Sequence, residues 1–376
     1  MAVVEMHSSW LAINSILGCP NGCKYCLLQA TGDNNCFPKQ LATPKEAVET
    51  LLDYKYYDKA IPLCLLPNTD VFVNPKNFKY LLELLDEIEK HNIKNDLIII
   101  TKCKIPEEMI TYAKKIKENN QNIVFYISYS GLGKEIEPRI SEEILRDNFK
   151  RLSENGIDVI HYYRPFLPQN SDSKKITEIL NYVNQYTDIS VTTGLALIET
   201  FIDKIDCWDE VKKNKDKCLK ANCVWPENAW NYFNNNYSHK QQIFQTNTCG
   251  LNTKLKRPST QYYGSFECQN YNHCSEEQRE RCRLAHQQLK STVKNAIKET
   301  DKAVLAGNKE QADKSLKKAI KALDNAKVKG LVHKNKVDRE KSRLTKKVMS
   351  STDWNKFFEI EGINWGSEGI LSAAAF

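Results

Sequence analysis

Between Trp10 and Leu197 the sequence alternates short apolar runs with longer segments whose apolar residues recur every three and four positions, and that alternation leaves few folds open. The runs are Trp10 to Leu17, Ile61 to Leu66, Leu97 to Thr101, Ile123 to Ser128, Val159 to Tyr163 and Val191 to Leu197. Between them stand PKEAVETLLDYKYY, NFKYLLELLDEIEKH, PEEMITYAKKIKENN, SEEILRDNFKRLSENG and KKITEILNYVNQY, which predict helices. Thr43 before Pro44 and Ser141 near Glu143 are start signals, and Gly156 is a stop signal. Six strands joined by helices predict an α/β fold, a parallel sheet curled into a partial (β/α)6 barrel. In such a sheet, cofactors collect on the loops that follow the carboxyl ends of the strands.

The loop after the first predicted strand reads LGCPNGCKYC, with Cys19, Cys23 and Cys26 in C-x3-C-x2-C spacing. The amino terminus, MAVVEMHSSW, has neither the basic start nor the apolar run of a secretory signal, and no window approaches the roughly 18 apolar residues of a bilayer span. A soluble cytoplasmic protein with no membrane contact is therefore expected, and its thirteen cysteines read better as ligands than as disulfides. Three thiolates on one tight loop can each hold one iron of a 4Fe-4S cubane, leaving the fourth iron without a protein ligand. An open iron can chelate the amine and carboxylate of S-adenosylmethionine, and one electron passed to the sulfonium would release a 5'-deoxyadenosyl radical. Gly18 and Gly22 let the loop turn round the cluster, and Tyr25 can cover it or reach the adenine. An external electron donor of flavodoxin or ferredoxin type is implied. A zinc knot is the competing reading, but structural zinc takes four ligands and this stretch supplies three.

CPNGCKYCLLQ resembles the cluster loop of radical S-adenosylmethionine enzymes, specifically the spore photoproduct lyase-like branch. The resemblance continues through NTDVF at 68–72, IITKC at 99–103, YISYSG at 126–131 and EPRISEEILRDNFKRLSENGIDVIHYYRPFLP at 137–168. It implies that Asn68, Thr69 and Asp70 lie near the methionyl group, Ser128 near the ribose, and Arg164 near the ribose or carboxylate. The scaffold alternative is that Asp70 and Asn68 cap the following helix and that Arg164 pairs with an acid. In the lyase a hydrogen-donating cysteine stands three residues before the aspartate, where this chain has Pro67. Cys64 and Cys103 are the nearby thiols left as candidate hydrogen donors, against the plainer reading of small apolar residues on strands.

A second group of cysteines follows, Cys207, Cys218 and Cys223, then Cys249, Cys268, Cys274 and Cys282. The last four could complete an auxiliary iron-sulfur cluster or a zinc site, with His273 able to replace one ligand, against the alternative of unconnected buried thiols.

Residues 283–350 hold 19 Lys and Arg against 7 Asp and Glu, an excess of +12 that exceeds the whole chain's +7 and leaves the rest at −5. This segment has no Phe, Tyr, Trp, Cys or Pro, so a boundary near residue 280 is expected, with domains at 1–205, 206–282 and 283–350 and an aromatic tail at 351–376. Helical spacing at Leu289, Val293 and Ile297 and at Leu316, Ile320 and Leu323, with breaks at Gly307 and Gly330, predicts a basic three-helix bundle. So concentrated a charge predicts phosphate binding, and the lack of aromatics favours backbone or shape recognition over base stacking. KGLVHKNKVDREKSRLTKKV is similar to the final helix of small-subunit ribosomal protein S-twenty, over about residues 276–349. That resemblance implies that Lys334, Lys336, Arg339, Arg343, Lys346 and Lys347 meet RNA phosphates.

These readings converge on a radical enzyme acting on a nucleic acid docked by the basic helices. The alternatives are radical modification of a peptide or protein, including one at the ribosome, and a non-catalytic iron-sulfur protein that binds RNA or the ribosome.

Overall fold

The computed structural model describes residues 2–7, 9–195, 205–213, 233, 241–259, 274–328, 332 and 334–361, the part beyond 350 as helical backbone. These residues fall into two compact units, one running to residue 256 and the other comprising mainly the chain from Glu276 onward.

The first unit is built on an eight-stranded sheet: β1 (Val4–Met6), β2 (Leu11–Ile13), β5 (Leu63–Leu65), β6 (Leu97–Thr101), β7 (Ile123–Ser128), β8 (Asp158–Tyr163), β9 (Ile189–Thr192) and β10 (Gln242–Phe244), in that spatial order. All neighbouring pairs are parallel except β1 with β2. A separate antiparallel pair, β3 (Ile16–Leu17) with β4 (Lys39–Gln40), closes the base of the cysteine loop. The predicted strand Trp10 to Leu17 is therefore two pieces. Asn14 and Ser15 interrupt the run, and a buried polar pair cannot continue an apolar ladder: the Asn14 amide turns to the Val3 carbonyl at 2.6 Å.

Five crossover helices match the predicted periodic segments: α1 (Pro44–Leu52), α2 (Pro75–Lys90), α3 (Glu107–Glu118), α5 (Glu142–Glu154) and α6 (Ser173–Val183), with a single turn, α4 (Gly133–Ile136), ahead of α5. Thr43 and Glu46 form a reciprocal capping box on α1, and the Ser141 side chain accepts from the Ile144 amide on α5. The cap of α2 is Asn74 rather than Asn68 or Asp70, because Asn74 directly precedes Pro75 and accepts from the Asn77 amide.

Both faces of the sheet are apolar, which explains the unbroken runs. Ile99, Phe125 and Ile127 pack in one core with Leu81, Met109 and Phe149 from the helices. Ala12, Cys64, Ile98, Val124, Tyr126, Ile160 and Tyr162 form the other face, joined by Phe244 of β10 and Leu251 of α8 (Asn247–Lys254). A short helix, α7 (Asp209–Lys213), also belongs to this unit.

His161 is fully buried on the helix side of the sheet. Its Nδ1 lies 2.8 Å from Ser190 Oγ and its Nε2 2.8 Å from the Tyr129 carbonyl, so the neutral ring donates from Nε2 and accepts at Nδ1. Burial lowers its pKa to about 4 from 6.5. The unfolded chain thus binds this proton at a higher pH than the folded one. Folding free energy is lost as the pH falls from about 6.5 to about 4, by about 3 kcal/mol in all, and is retained above that window. Urea denaturation of wild type and His161→Gln between pH 7.5 and 4.5 is expected to show a shallower decline in the variant, and equal slopes would refute this account.

The second unit is helical: α9 (Glu276–Leu305), α10 (Lys309–Val328) and α11 (Lys334–Glu361). Val293, Ile297, Leu316, Leu323, Val337 and Leu344 pack together, and Ala303, Ala312 and Val348 form a second cluster. The first helix begins before the expected boundary at 282/283, so Cys282 lies within it. The shift in composition at 283 marks the loss of aromatic and cysteine residues, not the first helical turn. The last helix likewise runs past residue 350 into the expected tail. Among the described residues no helix is long and apolar enough to cross a membrane.

Candidate active site

At the carboxyl ends of the central strands, on the face that carries Cys64 and Tyr126, the first unit holds a cavity of about 430 Å³. Cys19, Cys23 and Cys26 line it from one side. The rest of the lining includes Ile100 in β6 and Lys102 just after it, Ser128 ending β7, Tyr162 and Arg164 at β8, and Trp10 before β2. Strand alternation explains this set: 100 and 102, 126 and 128, and 162 and 164 share the face begun by Ile98, Val124 and Ile160.

The cysteine loop is fixed by protein atoms. Gly18 has φ +107°, and a Cβ there would come within 2.9 Å of Cys36 Sγ and 3.2 Å of the Phe37 carbonyl oxygen, so glycine is required on two counts. Gly22, at φ +70°, makes the second left-handed turn. The Thr69 hydroxyl donates to the Gly18 carbonyl at 2.6 Å, and the Gly18 amide donates to the Asn68 carbonyl at 3.1 Å. On the far side the Lys24 amide donates to the Ile136 carbonyl at 3.0 Å, and Arg139 donates to the Pro20 carbonyl. A 3-10 turn, Leu27–Thr31, follows Cys26.

Burial pushes the Cys19 and Cys23 thiols up to about 12, and raises that of Cys26. The neighbouring thiols add to the rise at Cys19, which places the three sulfurs within electrostatic reach of one another. The Asn21 amide donates toward the Cys19 sulfur and the Leu28 amide toward that of Cys26. Among the described residues no three Cys, His, Asp or Glu side chains gather about the position of a single metal ion. A cubane asks for something different, since each thiolate holds a separate iron corner. Three soft, desolvated donors on one cavity wall, with amide N–H groups aimed at two of them, fit a 4Fe-4S cluster held by three protein ligands.

Beside the thiols lies a buried charge network that sequence reasoning missed. Lys102 Nζ is 2.6 Å from Glu137 Oε1 and donates to the Ser128 carbonyl at 3.1 Å. Ser130 donates to the other Glu137 oxygen at 2.7 Å, and the Tyr25 hydroxyl also donates to Glu137. Burial, then the Glu137 charge, raise the Tyr25 pKa well above its ordinary value, so the phenol stays protonated. Lys102 lowers the thiol pKa at both Cys23 and Cys26, which places its charge beside those two ligands. Both network residues stand inside motifs noted in the sequence, IITKC and EPRISEE, but nothing local signals that they meet.

The other expected site residues divide. Tyr25, Asn68, Thr69, Asp70, Ser128 and Arg164 all line the cavity. Thr69 and Asp70 are also tied to the scaffold: Asp70 accepts from the Thr101 hydroxyl at 2.8 Å, the Lys102 amide at 2.7 Å and the Phe72 amide at 3.1 Å. Arg164 lies over the Tyr162 ring at 4.9 Å and donates to its hydroxyl at 3.2 Å. Cys64 does not reach the cavity; it is fully buried in the apolar face of the sheet, and burial drives its pKa far up. Cys103 is also outside the lining, with its sulfur 3.7 Å from Nδ2 of Asn21, a lining residue.

Of the later thiols, Cys249 and Cys274 pack against the Tyr126 face in the first unit, whereas Cys282 sits in α9 and its sulfur accepts from the Ser259 amide at 3.2 Å. Cys218, Cys223, Cys268 and His273 lie outside the described residues. In the helical unit, Arg343 and Lys347 pair at the surface with Asp301, at 3.6 and 2.8 Å, and Arg343 also with Glu340 at 2.9 Å. Lys334, Lys336, Arg339 and Lys346 make no ion pair with a described residue.

The family model described as Ribosomal protein S20 matches residues 275–349. The small ribosomal subunit protein bS20 of Exiguobacterium sp. is 46% identical over 69 residues, which span 18% of this chain and 80% of that protein. The Halothermothrix orenii bS20 is 46% identical over 61 residues, 16% of this chain and 70% of that protein. Among solved structures, spore photoproduct lyase complexed with dinucleoside spore photoproduct aligns with TM-score 0.46 and 11% identity, over 64% of this chain and 77% of that one. Streptococcus suis SuiB bound to S-adenosylmethionine aligns with TM-score 0.44 and 15% identity, over 67% of this chain and 55% of that one.

Proposed function

In its C-terminal part, residues 275–349, the chain belongs to the ribosomal protein S20 family, and from that premise and the thiol-lined cavity we propose a radical S-adenosylmethionine enzyme acting on nucleic acid. The observation that carries the catalytic half is the set of three desolvated thiols on one wall of a cavity at the carboxyl ends of parallel strands. In this reading the sheet is the partial barrel of such enzymes, and Cys19, Cys23 and Cys26 hold the 4Fe-4S cluster. A cluster bound by these thiols would supply the single electron needed for reductive cleavage of S-adenosylmethionine and, through it, for hydrogen abstraction from substrate. Asn68, Ser128 and Arg164 face the bound S-adenosylmethionine. Thr69 and Asp70 position the loop and the Lys102 backbone rather than serving the ligand alone. Tyr25, kept protonated by burial and by its bond to Glu137, would stand over the thiols and keep water from them. Ile100, Trp10 and Leu195 give the cavity apolar wall that shields a radical from solvent.

The helical unit supplies the docking half. Lys334, Lys336, Arg339 and Lys346, which make no ion pair among the described residues, are side chains available to RNA phosphates, and a substrate base would have to be extruded to enter the cavity. Anaerobic reconstitution with iron and sulfide, followed by dithionite and S-adenosylmethionine, is expected to yield 5'-deoxyadenosine. The same preparation should bind a ribosomal RNA fragment with log affinity falling against log salt at a slope of about −3, as a few neutralised phosphates require. Cleavage without RNA binding would turn the reading toward a peptide or protein substrate. A cluster that assembles but supports no cleavage would leave a non-catalytic RNA-binding protein.

A further inference from the structure

Helix α8 is pressed onto the sheet, and its first residue, Asn247, lines the same cavity as the three thiols. A Cβ on Gly250 would come within 2.5 Å of Val191 Cγ2, so only glycine lets the helix lie this close to β9. Thr246 caps the helix, accepting from the Cys249 amide at 3.3 Å, and the Thr248 hydroxyl donates to Ser9 Oγ at 3.0 Å. Ser9, Trp10 and Tyr162 line the cavity as well.

The Asn247 side chain is held in one orientation. Arg164 Nη1 donates to the Tyr162 hydroxyl at 3.2 Å, and that hydroxyl donates in turn to Asn247 Oδ1. Burial pushes the Tyr162 phenol up to about 12, so it keeps the proton it donates. Tyr126 fixes the backbone of the same residue, its hydroxyl donating to the Asn247 carbonyl at 3.2 Å. Trp10 meets the Tyr126 ring edge-on at 5.9 Å, and Tyr126 meets Tyr162 edge-on at 4.8 Å, so these side chains form one packed wall. With Oδ1 engaged, the amide has only its Nδ2 hydrogens left, and these bond to no described residue. What Asn247 offers a ligand is therefore a donor and not an acceptor.

An asparagine with both ends open reads adenine by donating to N7 and accepting from the N6 amino group. Here the accepting end is taken by Tyr162, so an amino group brought to this wall is stripped of water and finds no partner. A ring carbonyl oxygen is matched instead. Trp10, Ile100 and Leu195 line the same cavity and give a flat ring apolar surface to lie against. We propose that Asn247 selects the substrate base by donating from Nδ2 to a ring carbonyl oxygen, so that the cavity takes an oxo-bearing base, uracil or guanine, in preference to adenine. Base selection at Asn247 rests on the nucleic-acid reading given above and adds the chemical class of the base. Tyr162 is a positioning residue in this scheme, because its hydroxyl keeps the amide from turning over.

The test uses the full chain with its cluster and S-adenosylmethionine, without reductant, and fluorescently tagged RNA pentanucleotides of uridine, inosine and adenosine. Inosine and adenosine differ in carrying an oxygen or an amino group at C6, and the phosphates are common to all three probes. Inosine and uridine are expected to bind about tenfold more tightly than adenosine, the difference between one hydrogen bond made and one amino group stranded. Asn247→Ala should bring the three to equal affinity. Asn247→Asp keeps an acceptor for Tyr162 but replaces the donor by a second acceptor, and should favour adenosine. Tyr162→Phe lets the amide rotate and should remove the preference while oligonucleotide binding persists. Equal affinity of the unsubstituted chain for inosine and adenosine, or an unchanged preference in Asn247→Ala, overturns the selection. So does failure to bind any pentanucleotide, which would leave a peptide carbonyl as the acceptor, and so does loss of S-adenosylmethionine binding in Asn247→Ala by equilibrium dialysis, which would give the amide to the cofactor. Failure of dithionite to drive 5'-deoxyadenosine formation in the unsubstituted protein counts instead against the reading of the three cysteines, while the ratio of inosine to adenosine affinity still decides the base.

Discussion

Replacing Cys23 by alanine is expected to reduce iron in the reconstituted protein from about four per chain to nearly none, and to bring 5'-deoxyadenosine formation below detection. In the proposed reading three thiolates would be the whole protein contribution to the cubane, so losing one would leave two ligands. Folding should survive. Cys23 stands in a loop rather than on a strand, and truncating a small buried side chain there costs about 1 kcal/mol. Cys64→Ala is the matched control, since its thiol is buried in the apolar face of the sheet and outside the cavity lining. Iron analysis, the visible spectrum and product assay on both variants decide the matter: a Cys23→Ala protein with full iron and undiminished cleavage would remove the cluster from this loop.

The second large effect is expected at Glu137. Its carboxylate accepts from Lys102, Tyr25 and Ser130, and both members of the ion pair are largely withdrawn from water, with side chains 14% and 4% exposed. Glu137→Ala leaves the ammonium without its counter-charge and two hydroxyls without an acceptor. The cost should be about 3 to 5 kcal/mol, the usual penalty for stranding one partner of a buried pair. The double variant Lys102→Met with Glu137→Leu should recover most of that loss, because it removes the stranded charge along with its partner. Urea midpoints of the single and double variants measure both effects. A Glu137→Ala protein as stable as wild type would mean that the pair is open to solvent.

What the sequence made legible follows from the range of the forces involved. β6 and β7 agree with the expected runs at both ends, and Thr43 and Ser141 cap the helices they were expected to open, because these features rest on contacts a few residues apart. β1 and β10 were not expected. Each is a three-residue strand at an edge of the sheet, β1 on the neighbouring β2 and β10 on β9 some fifty positions earlier, and three residues are too few to show a period. The same holds in the site. The three thiols announce themselves by spacing, whereas Lys102 and Glu137 are 35 positions apart and meet only after β6 and the segment before α5 are brought together. Residue type also misleads: Thr69 and Asp70 look like ligand groups, yet much of their hydrogen bonding is spent on Gly18, Thr101 and Lys102. In the helical unit Arg343 and Lys347 both reach Asp301, a residue some forty positions earlier, a pairing that the spacing within one helix does not announce.

The stitching of the cysteine loop bears on how such a protein is made. In a small zinc module the metal supplies the free energy of folding, and the chain has no defined shape until the ion arrives. Here β3 and β4 join the ends of the loop, Thr69 and Asn68 hold it from below, and Arg139 and Ile136 hold it from the side, all through bonds between protein atoms. Ordering the loop is a cost met during folding rather than at the arrival of iron. Synthesis and metal loading can therefore be separate events: the chain can leave the ribosome, fold and wait with its thiols protonated, to be charged later by whatever machinery delivers iron and sulfide.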